Sequence, residues 1–234
     1  MELYSKLDTM PWMFLNVLNL IDHQMKTSIE SQVSAKKLKN IPKKAYYTYL
    51  LIDNTKYRKT SSKLDGKSLL PIEPNIKNFL AFKASIFYVG KGISNRKHQH
   101  LTLAKKLYCG ILPLKKVQLK VARIAALWKQ NKGVTLIQLE CDATSYEAFT
   151  RENCIIKSLN FNSLTNRIRG TSYGDAKNWP LTKVVNYGDM LLYQLFRNYL
   201  SKTPNVIYSS DVVLKTSSKK RPRFCTKCKK LLKV

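Results

Sequence analysis

Tyr47-Thr48-Tyr49 and Tyr88-Val89-Gly90 are two short aromatic strings, and Lys91, Arg96 and His100 follow the second. The four-residue spacing puts Arg96 and His100 on one face of a helix. Further on comes Arg151-Glu152-Asn153-Cys154-Ile155-Ile156-Lys157. On a helix, Glu152 shares its face with Ala148, Ile155 and Leu159. A carboxylate on an apolar stripe is costly unless a cation balances it. That cation is either an Arg or Lys at the stripe edge or a hard metal ion such as Mg²⁺ or Mn²⁺, which takes carboxylate and keeps several waters. Arg96 is either a solvated charge or a guanidinium that grips two phosphate oxygens and stabilises charge built up during attack. An unperturbed phenol titrates near about 10, so Tyr49 serves as a proton acceptor only if Lys91, Arg96 or a metal lowers it. Otherwise Tyr49 and Tyr88 are ordinary strand aromatics and His100 a packing histidine. His98 lies off the Arg96–His100 face and belongs to solvent. Gly90 and Gly92 are assigned to the turn after the strand, because a lone G-x-G without G-x-x-x-x-G-K-[ST] makes no nucleotide loop.

The charge of the chain points to a polyanionic partner. Its 234 residues carry 42 Lys+Arg against 14 Asp+Glu, a net charge of +28. Between Pro74 and Leu139 there is no acid, while thirteen Lys and Arg occur. Among them Lys97, Lys105, Lys106, Lys115, Lys116, Lys120 and Arg123 are expected to contact DNA, since each phosphate neutralised releases counterions. A surface of this sign excludes an ordinary neutral enzyme surface and favours nucleic acid first, an anionic membrane surface second.

The elements that must position these side chains read as a small α/β core. Residues 1–40 read as a helix followed by a basic stretch, with Trp12, Val17 and Leu20 and then Phe14, Leu18 and Ile21 at helical spacing. Strands are expected at 46–52, 86–89 and 134–139, the second stopped by the glycines at 90 and 92. Helices are expected at 95–107, 114–131, 144–159 and 189–200, the third opened by a Thr144–Glu147 capping box. The stretch 54–83, with Pro71 and Pro74, reads as an insertion. The domain plan is an N-terminal helical extension over 1–40, a small α/β core over 41–177, a helical extension over 178–211 and a basic tail over 212–234.

In this setting the residues resemble the GIY-YIG nuclease family. Tyr47–Tyr49 looks like its first motif and Tyr88–Gly90 its second, Arg96 and His100 match its R-x-x-x-H helix, and Glu152 matches its metal-binding glutamate. Asn166 matches the asparagine that closes the domain. The insert between the tyrosine motifs, the strings at 87–92 and 147–152, and the ending at 164–174 are closer to the nuclease domain of the ankyrin-repeat and LEM-domain endonucleases. The resemblance covers roughly 45–174. Tyr47 stands where most of the family has Gly, and ankyrin repeats and a LEM domain are not among these residues. The resemblance implies a three-stranded sheet flanked by helices and a metal-dependent DNA endonuclease acting on branched or flapped DNA. It implies Glu152 as ligand to Mg²⁺ or Mn²⁺, Tyr49 as proton acceptor, Arg96 as charge stabiliser, Tyr88 and His100 as orienting groups, and Lys91 and Asn166 in support.

Two other classes compete: a catalytically inactive nucleic-acid-binding protein on the same scaffold, and a membrane-surface basic protein. The second is disfavoured because the charge lies within folded elements instead of one amphipathic helix. No run reaches the roughly 20 apolar residues of a membrane span. Five cysteines make no disulfide framework. Cys225 and Cys228 supply half the ligands of a structural zinc site, so zinc there is not expected unless two chains share it. The start lacks a signal-peptide or transit-peptide pattern, and no small-molecule cofactor is expected. The location expected is nuclear or cytoplasmic, with Lys219-Lys220-Arg221-Pro222-Arg223 as a localisation signal or a DNA-binding tail.

Overall fold

The computed structural model describes residues 11–33, 46–56, 75–94, 96–139, 144–201 and 205–214. Expectations for residues 1–10, for the insertion over 57–74 and for the basic tail with Cys225 and Cys228 lie outside them. The chain forms α1 (Pro11–Gln32), β1 (Tyr46–Asp53), α2 (Ile76–Ser85), β2 (Ile86–Ile93), α3 (Arg96–Tyr108), α4 (Leu119–Lys129), β3 (Val134–Gln138), α5 (Ser145–Ser158), α6 (Leu181–Ser201) and β4 (Val206–Ile207). The strands make one antiparallel sheet in the order β2-β1-β3-β4.

β1 is apolar on both faces because both are covered. Tyr47, Tyr49 and Leu51 point into a core shared with Leu101 and Ala104 of α3 and Val121, Ile124 and Trp128 of α4. Leu50 and Ile52 point the other way, into a larger core built by α1, α2, α5 and α6. The result is three layers with the sheet in the middle, the mixed α/β architecture expected from the sequence. Gly188 lets α6 lie close against α5, since a Cβ there would lie 2.1 Å from the Cys154 carbonyl oxygen of α5.

Several elements differ from the sequence expectation. The insertion over 54–83 ends in a helix, α2, whose first turn is capped by Asn75 accepting from the Asn78 N–H at 2.9 Å, and which buries Phe79 and Phe82 completely. The expected helix over 114–131 starts only at Leu119, after a short 3₁₀ turn (Leu114–Lys116) that follows Pro113. The helix expected over 189–200 begins eight residues earlier, at Leu181. A fourth strand, β4, pairs with β3, and Trp128 donates its indole N–H to the Ile207 carbonyl at 3.0 Å. In α1 the buried stripe is Phe14, Leu18, Met25 and Ile29, while Val17 and Leu20 are exposed. Among the described residues no helix is long and apolar enough to cross a membrane.

Candidate active site

The glycines of β2 are what allow the tyrosines to converge. β2 does not stop at them. It runs to Ile93, with Gly90 opposite Tyr49 and Gly92 opposite Tyr47 in the ladder. A Cβ on Gly90 would lie 2.7 Å from both Tyr49 Cζ and Tyr88 Cε1, and one on Gly92 would lie 2.8 Å from the Tyr47 hydroxyl. Both glycines therefore make room for aromatic rings laid across the strand; neither serves a turn.

The rings form a cluster with His100. The Tyr49 and Tyr88 centroids are 6.0 Å apart, His100 stacks on Tyr49 at 6.2 Å, and it meets Tyr88 edge-on at 5.9 Å. Burial, with Lys120 and Arg96 nearby, draws the His100 imidazole down to about 4, so the ring is neutral at physiological pH. Its Nδ1 is buried and has no hydrogen-bond partner among the described residues.

Tyr49 and Tyr88 differ in where they look. Tyr49 is 1% exposed, and burial followed by the Tyr88 phenol holds its hydroxyl far above the ordinary phenol range. Tyr88 lines a cavity of about 390 Å³. Burial and then the Glu152 carboxylate push its hydroxyl up to about 12.

Glu152 enters the same cavity from α5, on the other face of the sheet. The Thr144–Glu147 capping box starts that helix and leaves Glu147 as a cap, as its spacing suggests. The Glu152 carboxylate accepts the Lys91 backbone N–H, and among the described residues no ion pair engages it. Burial pushes it up to about 7 against the pull of Lys91 and Lys120. Asn166 closes the cavity and locks β2: it accepts the Val89 N–H at 3.1 Å and donates to the Val89 carbonyl at 2.8 Å.

The cations fall into two groups. Arg96 is exposed at the first position of α3, close enough to act electrostatically on Tyr88, Lys91, His100 and Lys120. Lys91 sits over the Phe149 ring, 3.3 Å from its centre, and burial lowers its ammonium. Of the lysines and arginine expected on DNA, Lys106, Lys115 and Arg123 are exposed, and the side chain of Lys116 lies outside the described residues. Lys97 donates to the Gln138 side chain, Lys105 to the Ser209 carbonyl at 2.8 Å, and Arg123 to Asp53 at 2.8 Å. Lys120 is buried and donates to the Tyr88 hydroxyl at 2.6 Å. Its place inside the site was hidden in sequence among many other lysines. Tyr47 was also passed over: its hydroxyl donates to the Ser94 carbonyl at 2.6 Å and accepts the Lys97 N–H at 3.1 Å, pinning the turn that delivers Arg96.

The donor set suits a hard cation that keeps most of its own water. One carboxylate without an ion pair faces a cavity roomy enough for water. Among the described residues no group of three or more His, Cys, Asp or Glu forms a full protein cage. Mg²⁺ and Mn²⁺ are commonly held by one or two carboxylates with water and substrate phosphate filling the other positions.

The comparisons with known proteins bear on the family of the chain. The model of the LEM-3-like GIY-YIG domain matches residues 46–214. Mouse ankyrin repeat and LEM domain-containing protein 1 is 28% identical over 169 residues, 72% of this chain and 30% of that protein. The human protein of that name is 30% identical over 176 residues, 72% of this chain and 27% of its own length. The Caenorhabditis elegans homolog is 32% identical over 120 residues, 50% of this chain and 17% of that protein. The match thus spans under a third of each relative. No solved structure matches. With the family model covering the sheet, the tyrosine cluster, Glu152 and Asn166 in one span, the chain belongs to the LEM-3-like GIY-YIG domain family.

Proposed function

We propose that this protein is a metal-dependent endonuclease that hydrolyses DNA phosphodiester bonds. The observation that carries the reading is Glu152: a largely buried carboxylate, without an ion pair among the described residues, facing a cavity shared with a tyrosine and flanked by cations. A buried charge left unbalanced by the fold is balanced by a ligand. Membership of a nuclease domain family supports the same conclusion.

Glu152 is the residue that would hold Mg²⁺ or Mn²⁺, and the ion when bound supplies a Lewis acid at a phosphate oxygen. The chain's own residues do the rest. Arg96, exposed at the first position of α3, neutralises the charge that grows on the non-bridging oxygens as water attacks phosphorus and the bond to the leaving oxygen breaks. Tyr88, the phenol on the cavity wall, orients the attacking water through its hydroxyl. Tyr49 and the neutral His100 hold that phenol in place by packing. Asn166 keeps β2 and the cavity loop in register. Lys106 and Lys115, on an acid-free stretch, bind the DNA backbone away from the cut. Resemblance to the LEM-branch nucleases supports flapped or branched DNA as the preferred substrate.

The test is a panel of labelled duplex, single-stranded, flapped and four-way-junction DNAs incubated with Mg²⁺, with Mn²⁺ and with EDTA. The proposal expects cutting in either metal, none in EDTA, and faster cutting of the flap or junction. Tight binding with no cutting of any DNA in either metal would overturn it and leave a nucleic-acid-binding protein on a nuclease scaffold.

A further inference from the structure

Lys120 is the second residue of α4, and three features make it a poor choice for stability. It is only 8% exposed. A positive charge in the first turn of a helix opposes the helix dipole. Among the described residues no carboxylate forms an ion pair with it. What its ammonium touches is the catalytic phenol: it donates to the Tyr88 hydroxyl at 2.6 Å, lies 3.9 Å from the centre of that ring, and lines the cavity that Glu152 faces. A buried cation in such a place costs stability unless an anion from outside the chain enters to meet it.

Resting on the nuclease reading, we propose that Lys120 is a catalytic residue: its ammonium meets a non-bridging oxygen of the scissile phosphate and fixes the Tyr88 hydroxyl as its hydrogen-bond acceptor. With the Tyr88 oxygen receiving from both Lys120 and the Tyr49 hydroxyl, the phenol's own proton turns to the attacking water or to a phosphate oxygen. The ammonium is charged when it is needed. Burial, with Arg96 adding and Glu152 opposing, draws it down only to about 8, above neutral pH. Enclosure also separates it from Arg96. The exposed guanidinium acts through solvent, whereas a charge inside the cavity acts through a lower dielectric and counts for more per ångström. A lysine that merely tethered DNA would stand outside with Lys106 and Lys115.

The test compares wild type, Lys120→Met, Lys120→Gln, Tyr88→Phe and the Lys120→Met/Tyr88→Phe double variant by three readouts. These are single-turnover cleavage of a labelled flap DNA in Mg²⁺, affinity for the same DNA in EDTA, and thermal unfolding. Lys120→Met and Lys120→Gln should each lower the cleavage rate on the order of a hundredfold, as loss of a transition-state donor does. Affinity should stay within about threefold, because uniform binding is not what is removed. The unfolding temperature should hold or rise, because a buried charge has gone. In the Tyr88→Phe background Lys120→Met should still cost about tenfold, the share owed to direct contact with phosphate. Cleavage by both single variants within about threefold of wild type would overturn the proposal. So would affinity falling in step with rate, which marks a tether, or unfolding temperature and rate falling together, which marks a structural lysine. Wild type that cuts no DNA sinks the nuclease reading and this inference together; wild type that cuts beside undiminished variants sinks Lys120 alone.

Discussion

Arg151 and Glu152 are neighbours on one helix, both ionisable and both largely buried, and they have opposite fates. Arg151 faces the larger core. It donates to Asp22 of α1 through Nε at 3.0 Å and Nη2 at 2.6 Å, and Tyr187 of α6 donates its hydroxyl to the same carboxylate. This cluster joins three helices and is 3% exposed at the arginine side chain. Glu152 faces the cavity, accepts one backbone N–H, feels Lys91 and Lys120 at a distance, and forms no ion pair among the described residues. The first charge is satisfied inside the fold and holds α1 against α5. The second is left for something that arrives. In a chain this basic, charge alone separates nothing; whether the fold neutralises a buried charge separates architecture from chemistry.

The contrast can be broken at either residue. Glu152→Gln has the largest expected effect: cleavage should fall by a hundredfold or more, on the order of losing a transition-state group, while DNA affinity persists. Next is Asp22→Ala, which strands Arg151. It should destabilise the protein by about 3 kcal/mol in urea unfolding, the low end for a broken buried pair because Asp22 is partly exposed. Its cleavage rate per folded molecule should match wild type at low temperature. If Asp22→Ala instead abolished cutting in a folded protein, the division between the two regions would be wrong.

A third prediction uses pH in EDTA. The Glu152 carboxyl is raised from 4.5 to about 7 on folding. Between those values the folded state holds a proton that the unfolded state has released, so the stabilisation is full below 4.5 and is lost as pH rises through about 7. His100, drawn down from 6.5 to about 4, works in the opposite sense. The measurement is therefore the difference in unfolding temperature between wild type and Glu152→Gln. Glu152→Gln should gain on wild type from pH 5 to pH 8, and a flat difference would show that Glu152 is not held in the buried state described here. The smallest effect is expected from Tyr47→Phe, which frees the turn before Arg96. It should slow cutting by only about tenfold, since each of the two hydrogen bonds lost contributes about 1 kcal/mol and only part of that bears on Arg96, with Glu152-dependent cleavage intact.

The fold was legible where one residue type repeats at one period. β1, β3 and α5 carry runs or a capping box that admit one reading. α2 was not, because it follows prolines and polar residues and is held by Phe79 and Phe82 against α6, contacts distant in sequence. The first eight residues of α6, Leu181 to Gly188, lie before the helix start expected at 189. Gly188 is there for close approach to α5, and Lys83 of α2 pairs with Asp189 inside the protein at 2.5 Å. In the site, the residues carried by the motifs were named in advance, and the structure brings Tyr49, Tyr88, His100, Glu152 and Asn166 around one end of β2. Lys120 was expected on DNA but not inside the tyrosine cluster, and Tyr47 was named only as part of the first motif. A lysine among thirteen Lys and Arg, and a tyrosine where a glycine is usual, show their place in the site only when the sheet and α4 bring them to their partners.

The most direct test of the account is single-turnover cleavage of a labelled flap DNA by wild type and Glu152→Gln side by side in Mg²⁺, with affinity and unfolding temperature measured on the same preparations. The account predicts cutting by wild type alone, equal binding by both, and a variant at least as stable as wild type. Cutting by Glu152→Gln within about tenfold of wild type would contradict it, because the unpaired carboxylate would then have no part in the chemistry.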